Sequence, residues 1–201
     1  MEHEPQAGLR ARRKLETQRE IHQAALELFE AHGVRETTVH QIAERAGVSP
    51  RTFFRYFSTK EQAALPGQRR MLRAIDSLEI TDPDPAAVLR AVETMAETVM
   101  GADNDPELDE HRRVAKLLAR DADLQSLAAS QELVLPVRLR ARLAEQLPEA
   151  DPATLLLISE TAVAVWRVSW IRWGELATRG ETADPVAVYR ECRARLRSAV
   201  G

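Results

Sequence analysis

At 201 residues and 22.5 kDa, with 44% hydrophobic side chains, the chain is long enough for one or two compact units with real cores. A net charge of −3 argues against indiscriminate nucleic-acid binding, and a single cysteine, Cys192, excludes an intramolecular disulfide. No run of about 18 apolar residues marks a membrane span, and the opening MEHEPQAGLRARRK lacks the apolar stretch of a signal peptide. A cytoplasmic protein is expected.

Residues 1–9 read as a flexible tail. Arg10, Arg12, Arg13 and Lys14 follow as a basic cluster, either a solvated helix entry or an arm able to reach phosphates. Ile21, Ala24, Ala25, Leu28 and Phe29 give the first helix its apolar stripe, which closes at Gly33. Val39, Ile42, Ala43 and Ala46 then fall at i, i+3, i+4 and i+7, one face of a second helix, with Thr38 placed to cap it. Gly47 stands where a helix end needs positive φ, and Val48 can plug the turn. Ser49 is the next N-cap, with Pro50 at the first helical position. The third helix sets Phe53 and Phe57 on one face and points Arg51, Thr52, Arg55 and Tyr56 elsewhere. From Ser49 to Lys60 there are three positive charges and no acid. That is a helix-turn-helix whose second helix suits a major groove. Charge is distributed to match: residues 1–60 carry ten Lys and Arg against eight Asp and Glu, and the remainder 18 against 23.

The stretch TVHQIAERAGVSPRTFFRYFSTKE resembles the DNA-binding segment of the tetracycline-repressor (TetR) family. The likeness lies in Thr37, Thr38, Val39, Ile42, Ala43, Ala46 to Ser49, Thr52, Phe53, Tyr56, Phe57, Lys60 and Glu61. It extends back through the helix IHQAALELFEAHG, so it covers about residues 10–61. It implies an all-α homodimeric regulator with an N-terminal three-helix DNA-binding domain, residues 1–57, and a helical regulatory and dimerisation domain, residues 58–201. Arg51, Thr52 and Arg55 are expected at base edges or in the groove, beside Ser49 and Pro50. The resemblance assigns phosphate contacts to Thr38, His40, Tyr56 and Lys60. Phe54 stands where the family often has tyrosine, so a hydroxyl–phosphate contact there is lost.

Farther along, Ser58-x-x-Glu61 reads as a capping box that opens a fourth helix, with Lys60 and the free N–H groups as a phosphate cradle. Pro66-Gly67 should break or kink that helix, which resumes near Gln68 with Met71, Leu72 and Ile75. The linking helix of the resembled family is usually unbroken, so this is a departure. From Thr81 five segments follow, bounded by breakers and without strand signals. Asp84-Pro85, Asp105-Pro106, Asp151-Pro152 and Asp184-Pro185 put an acid at N-cap and proline at N1. The segment opening near Asp121 to Asp123 runs to Leu143 and should kink at Pro136.

Segment 153–177 is apolar over most of its circumference. Leu155, Ile158, Ala162, Trp166, Trp170 and Trp173 form one face, and Leu157, Ala164, Val168 and Ile171 a second. Only a strip with Glu160, Arg167 and Gly174 stays polar. Together with Tyr189, Cys192 and Leu196 of the last helix it resembles half of a four-helix dimer interface. A central core helix in a monomer is the other reading. Ala164, Val168, Ile171, Tyr189 and Leu196 are therefore the expected dimerisation residues. Trp166 and Trp170, with Met95 and Val99 opposite, are expected to wall an effector site.

No P-loop, GxGxxG, HExxH or paired cysteines occur, and the five histidines have no metal spacing. His111, Arg112 and Arg113 form either a solvated face or an anion contact. Glu93 and Glu97 have no partner in the sequence that marks acid–base work. The expectation is a non-enzymatic DNA-binding regulator without cofactor or metal, most simply a repressor that a small molecule releases from a pseudo-palindromic operator. Two other classes stay open on sequence: a constitutive DNA-binding regulator or activator without effector, and a helical enzyme with an incidental helix-turn-helix.

Overall fold

The computed structural model describes residues 4–65, 68–101 and 107–200. The described residues form helices and no strand, in two compact units divided after Pro66.

In the first unit α1 (Glu4–His32) lies against α2 (Val39–Arg45) and α4 (Lys60–Ala64), while α3 (Pro50–Tyr56) packs on α2. Helix α1 already begins at Glu4, which corrects the expected tail over residues 1–9. Gln, Ala, Leu and Arg favour helix, and a proline in the first turn removes no intrahelical bond. Because α1 is covered on two sides, its buried face is wider than the stripe read from the sequence. Leu26 is fully buried with Ile21, Ala24, Ala25 and Phe29, and Leu28 is only partly so. The end of α1 is closed by Gly33 at φ 84° and by the buried Thr37, whose Oγ1 donates to the Gly33 carbonyl at 2.9 Å.

Helix α4 belongs to this unit, so the compact region extends to Pro66, beyond the boundary expected at residue 57. His22, buried on α1, sets Nδ1 2.7 Å from the Ala63 carbonyl, across 41 residues of chain. The cap of α4 is Thr59, whose hydroxyl accepts from Gln62 N at 3.2 Å, while Gln62 Oε1 accepts from Ser58 N at 3.0 Å. The expected Ser58–Glu61 box is thus displaced by one residue, with Gln62 in the place of the acid. Helix α4 ends at Ala64 and α5 opens at Arg69 after Gln68. Pro66 and Gly67, the expected break, lie outside the described residues.

The second unit comprises α5 (Arg69–Asp76), α6 (Pro85–Met100), α7 (Glu107–Leu118), α8 (Ala122–Glu132), α9 (Val134–Gln146), α10 (Pro152–Thr178) and α11 (Pro185–Val200). Asp84, Asp151 and Asp184 each accept from the backbone N–H three residues on, at 2.9–3.1 Å, as their Asp-Pro pairs lead one to expect. Asp105-Pro106 lies outside the described residues. The segment that was to kink at Pro136 is two helices. The break falls at Leu133, because Pro136 has no N–H to give the Glu132 carbonyl and its ring clashes with that carbonyl.

Helix α10 is the axis of this unit and packs against α6, α7, α9 and α11. By length and hydropathy alone it would pass as a membrane span, yet it is this unit's core helix. Its inward face, Leu155, Ile158, Ala162 and Trp166, joins Met71, Ile75, Val88, Val92, Leu139, Leu143 and Tyr189 in one core. Gly174, expected on the polar strip, is buried. A Cβ there would stand 2.4 Å from the Ala115 carbonyl oxygen, so glycine is what lets α10 and α7 meet backbone to backbone. The strand-like stretch after α5 is tied to α9: Arg142 and Gln146 donate to the Leu78 carbonyl at 3.0–3.1 Å, and Gln146 Oε1 accepts from Ile80 N.

Candidate nucleic-acid interface

Helix α2 is fixed at both ends before α3 begins. Thr38 Oγ1 accepts from Gln41 N at 3.3 Å and Gln41 Oε1 accepts from Thr38 N at 2.8 Å, a complete capping box. Gly47 turns the chain at φ 66°, which lets Val48 N donate back to the Ala43 carbonyl at 2.9 Å. Ser49 then caps α3 by accepting from Thr52 N at 3.1 Å, and Pro50 takes the first helical position. Arg45 of α2 pairs with Glu27 of α1 at 2.6 Å.

On α3 the two adjacent phenylalanines separate the faces. Phe53 is fully buried and anchors the helix, whereas Phe54 is 57% exposed. Arg51 and Arg55 are exposed, and Thr52 is half-buried. With Phe54 they line an open concavity of about 370 Å³. The Arg55 guanidinium lies 5.0 Å from the Tyr56 ring centre and donates to Tyr56 Oη at 3.3 Å, so the two side chains stand as one block. His40 is exposed on the first turn of α2, and Thr38 is exposed at its cap. Arg13 and Lys14 are exposed on α1, where Arg12 pairs with Glu16 at 3.1 Å. The side chain of Arg10 lies outside the described residues.

Lys60 departs from its expected role. Its ammonium donates to the carbonyls of Val34, Thr37 and Arg35 at 2.6, 2.8 and 3.3 Å, using all three protons on the turn between α1 and α2. It closes that turn from within the unit. Sequence could not reveal this, since the partners lie 23–26 residues away and are backbone.

A family model described as "Bacterial regulatory proteins, tetR family" matches residues 21–63. The chain is 37% identical over 137 residues to the transcriptional regulator TcmR of Streptomyces glaucescens, covering 63% of this chain and 59% of that protein. It is 29% identical over 126 residues to a putative mycofactocin biosynthesis regulator, MftR, of Mycobacterium tuberculosis, covering 63% and 62%. The matched stretch thus spans about three fifths of either relative. Among solved structures, Thermus thermophilus FadR, a TetR-family repressor in complex with lauroyl-CoA, superposes with TM-score 0.53 at 21% identity, covering 92% of this chain and 95% of that one. The fold is the same. Residues 21–63 carry the TetR-family domain.

Trp166 and Trp170, expected at an effector site, and Ala164, Val168 and Ile171, expected at a dimer surface, all lie on α10. Trp166 is buried, and Trp170, Met95 and Val99 pack against the same core. Trp170 is also a hub of rings: its centroid is 5.6 Å from Trp166, 5.2 Å from Trp173 and 5.4 Å from His111, which stacks on it. Arg112 lies 5.7 Å over Trp173, whose Nε1 donates to the Ala183 carbonyl at 2.8 Å. His111 and Arg112 are therefore ring partners and no plain solvated face. Val168 is 50% exposed, Leu157 66% and Leu196 37%, with Ala164 and Ile171 half-buried on the outward side of α10.

Tyr189 must be withdrawn from the dimerisation set. It is 1% exposed inside its own unit's core, and burial pushes its phenol up to about 12. Sequence also missed what surrounds it. Glu93, buried on α6, accepts from Arg193 and Arg197 at 2.8 Å, and Glu97 accepts from Arg190 at 2.7 Å and from Arg193. The signal was present as spacing: acids at i and i+4 on α6 answer arginines at i, i+3 and i+7 on α11. Arg190's hydrogen bond holds the Glu97 carboxyl below the usual range, against the effect of burial. These acids clamp two helices. Among the described residues no group of three His, Cys, Asp or Glu gathers as a metal site requires.

Proposed function

We propose that this protein is a DNA-binding transcription regulator of the cytoplasm, acting as a homodimer on a pseudo-palindromic operator. The observation that carries this is α3. Phe53 holds it from the inside, Ser49 and Pro50 fix its start, and Arg51, Thr52 and Arg55 are left facing solvent with no acid among them. Arginines on an exposed helix end fit guanine edges, and Thr38, His40 and Tyr56 flank them as phosphate partners. A two-fold dimer sets two such helices about 34–36 Å apart, or a multiple of that, so the operator repeats in inverted half-sites. The exposed apolar side of α10, at Leu157, Ala164, Val168 and Ile171, supports α10 as the dimer surface.

The second unit serves as the receiver of an apolar small molecule that favours one of two dimer spacings and so releases DNA. Its support is the paired rings of Trp166 and Trp170, with Met95 and Val99 packed against the same core. Selection of duplexes by the full chain, followed by footprinting, tests the reading. A symmetric footprint is expected, and Arg51→Ala or Arg55→Ala each weakens one operator position by about 1–3 kcal/mol. An asymmetric footprint, or unchanged base preference in both variants, overturns it. Titrating the bound complex with a metabolite panel separates a ligand-released repressor from a constitutive regulator.

A further inference from the structure

Phe54 is a large apolar side chain on the solvent face of α3, 57% exposed. Phe53, the next residue, supplies the buried anchor; Phe54 touches it edge to face, with centroids 5.5 Å apart and planes at 85°. That contact restrains the ring without hiding it. Around it stand Arg51, three residues back, and Arg55, the next residue, with Thr52 completing the wall of the concavity. An exposed aromatic ring between two arginines offers apolar surface that gains free energy when an apolar group covers it.

We propose that Phe54 reads the 5-methyl group of a thymine in the major groove, beside the base that Arg51 addresses. The inference rests on the DNA-binding reading above and specifies part of the operator. Phosphate oxygens offer nothing to a ring without a hydroxyl, and guanine, cytosine and adenine present only hydrogen-bonding edges in that groove. The thymine methyl is the single apolar feature displayed there. Register follows from geometry. Residues 51 and 54 lie on one helix side, about 4.5 Å apart along the axis. Base pairs are spaced by about 3.4 Å. The arginine and the phenylalanine therefore address neighbouring base pairs, one contact polar and the other apolar. Charge complementarity brings the face to DNA, and the ring discriminates within it.

The test uses the full chain and its selected operator, with each thymine replaced in turn by deoxyuridine in both half-sites. That exchange removes a methyl group and leaves pairing intact. Affinity is read by fluorescence anisotropy of labelled duplex at one fixed salt concentration. The native protein is expected to lose about fourfold per methyl at one thymine position, hence about fifteenfold for the symmetric pair. Phe54→Ala should bind the thymine and uracil duplexes alike, and Phe54→Leu should keep part of the preference. Since the ring is exposed, both variants should retain the native helical circular dichroism and weak low-salt binding to unrelated DNA. The proposal is overturned if no uracil substitution weakens the native protein, or if Phe54→Ala keeps the penalty. A chain that selects no duplex at all overturns the DNA-binding reading and this one with it. That result is distinct from DNA binding without methyl sensitivity.

Discussion

The short helices of the first unit start on bonds between near neighbours, and the long helices of the second are tied to one another by bonds between distant residues. In the first, Thr38 with Gln41, Ser49 with Thr52 and Thr59 with Gln62 each close a helix start within three residues. In the second, Arg138 reaches Asp76 across 62 residues and Arg197 reaches Glu93 across 104. Local caps fix where each short helix begins and which way α3 faces, so a small domain can present a rigid surface. Distant clamps fix how long helices lie against each other, which is the property a ligand would alter.

The largest effect should come from the anchor of the first unit. Phe53→Ala removes a fully buried ring and should cost about 3–5 kcal/mol, enough to unfold that unit. Phe54→Ala, one residue on, should change stability by less than about 0.5 kcal/mol. Hydrogen exchange of amides in α2 and α3 checks both, and equal losses would erase the division of faces. In the second unit, Gly174→Ala forces a methyl against the Ala115 carbonyl and should cost about 1–3 kcal/mol by urea unfolding. A neutral result there would mean that α7 and α10 can part freely.

Lys60→Met sharpens the contrast, because Lys60, like His22 on the Ala63 carbonyl, is a long-range tie within the first unit. Loss of its bonds to three carbonyls should cost about 1.5–3 kcal/mol of stability. A phosphate role would instead lower the salt dependence of DNA binding by about one charge and leave stability alone.

Two titrations have opposite signs. Glu97 is held below its ordinary range in the folded protein, so its stabilisation is present at neutral pH and disappears as pH falls through the folded value. Glu97→Gln should therefore flatten the acid limb of the stability profile. Burial pushes the Glu132 carboxyl up to about 7, opposed by Arg167. Its contribution is complete below the ordinary carboxylate value of 4.5 and is lost as pH rises through about 7. Glu132→Gln should accordingly leave stability unchanged at pH 4 and raise it at pH 8.

The same contrast governs what the sequence disclosed. The helix-turn-helix was legible because its determinants are local: Thr38, Gly47, Ser49 and Pro50 announce the ends of α2 and α3 within a few residues. The apolar faces of α10 were legible from period alone, and so was the outward position of Val168. Residues whose roles depend on distant chain were misjudged. Tyr189 looked like a surface residue until α6 and α10 closed over it, and Gly174 looked polar until α7 arrived. The bonds of Lys60 to three carbonyls were not legible, because backbone partners carry no sequence signature. Pro136 was read correctly as a breaker but placed three residues late, since the clash acts on the preceding turn.

All three tryptophans, Trp166, Trp170 and Trp173, belong to α10, and the first unit has none. Their rings stand in edge-to-face sequence, with His111 stacked on the middle one. The molecule therefore carries an optical reporter confined to its second unit. Intrinsic emission and the near-ultraviolet circular dichroism of coupled indoles follow the α7–α10 contact, while unfolding of the DNA-facing unit passes almost unseen in both. A denaturation profile in which these signals lag the far-ultraviolet helical signal would resolve the two units in a single unlabelled sample.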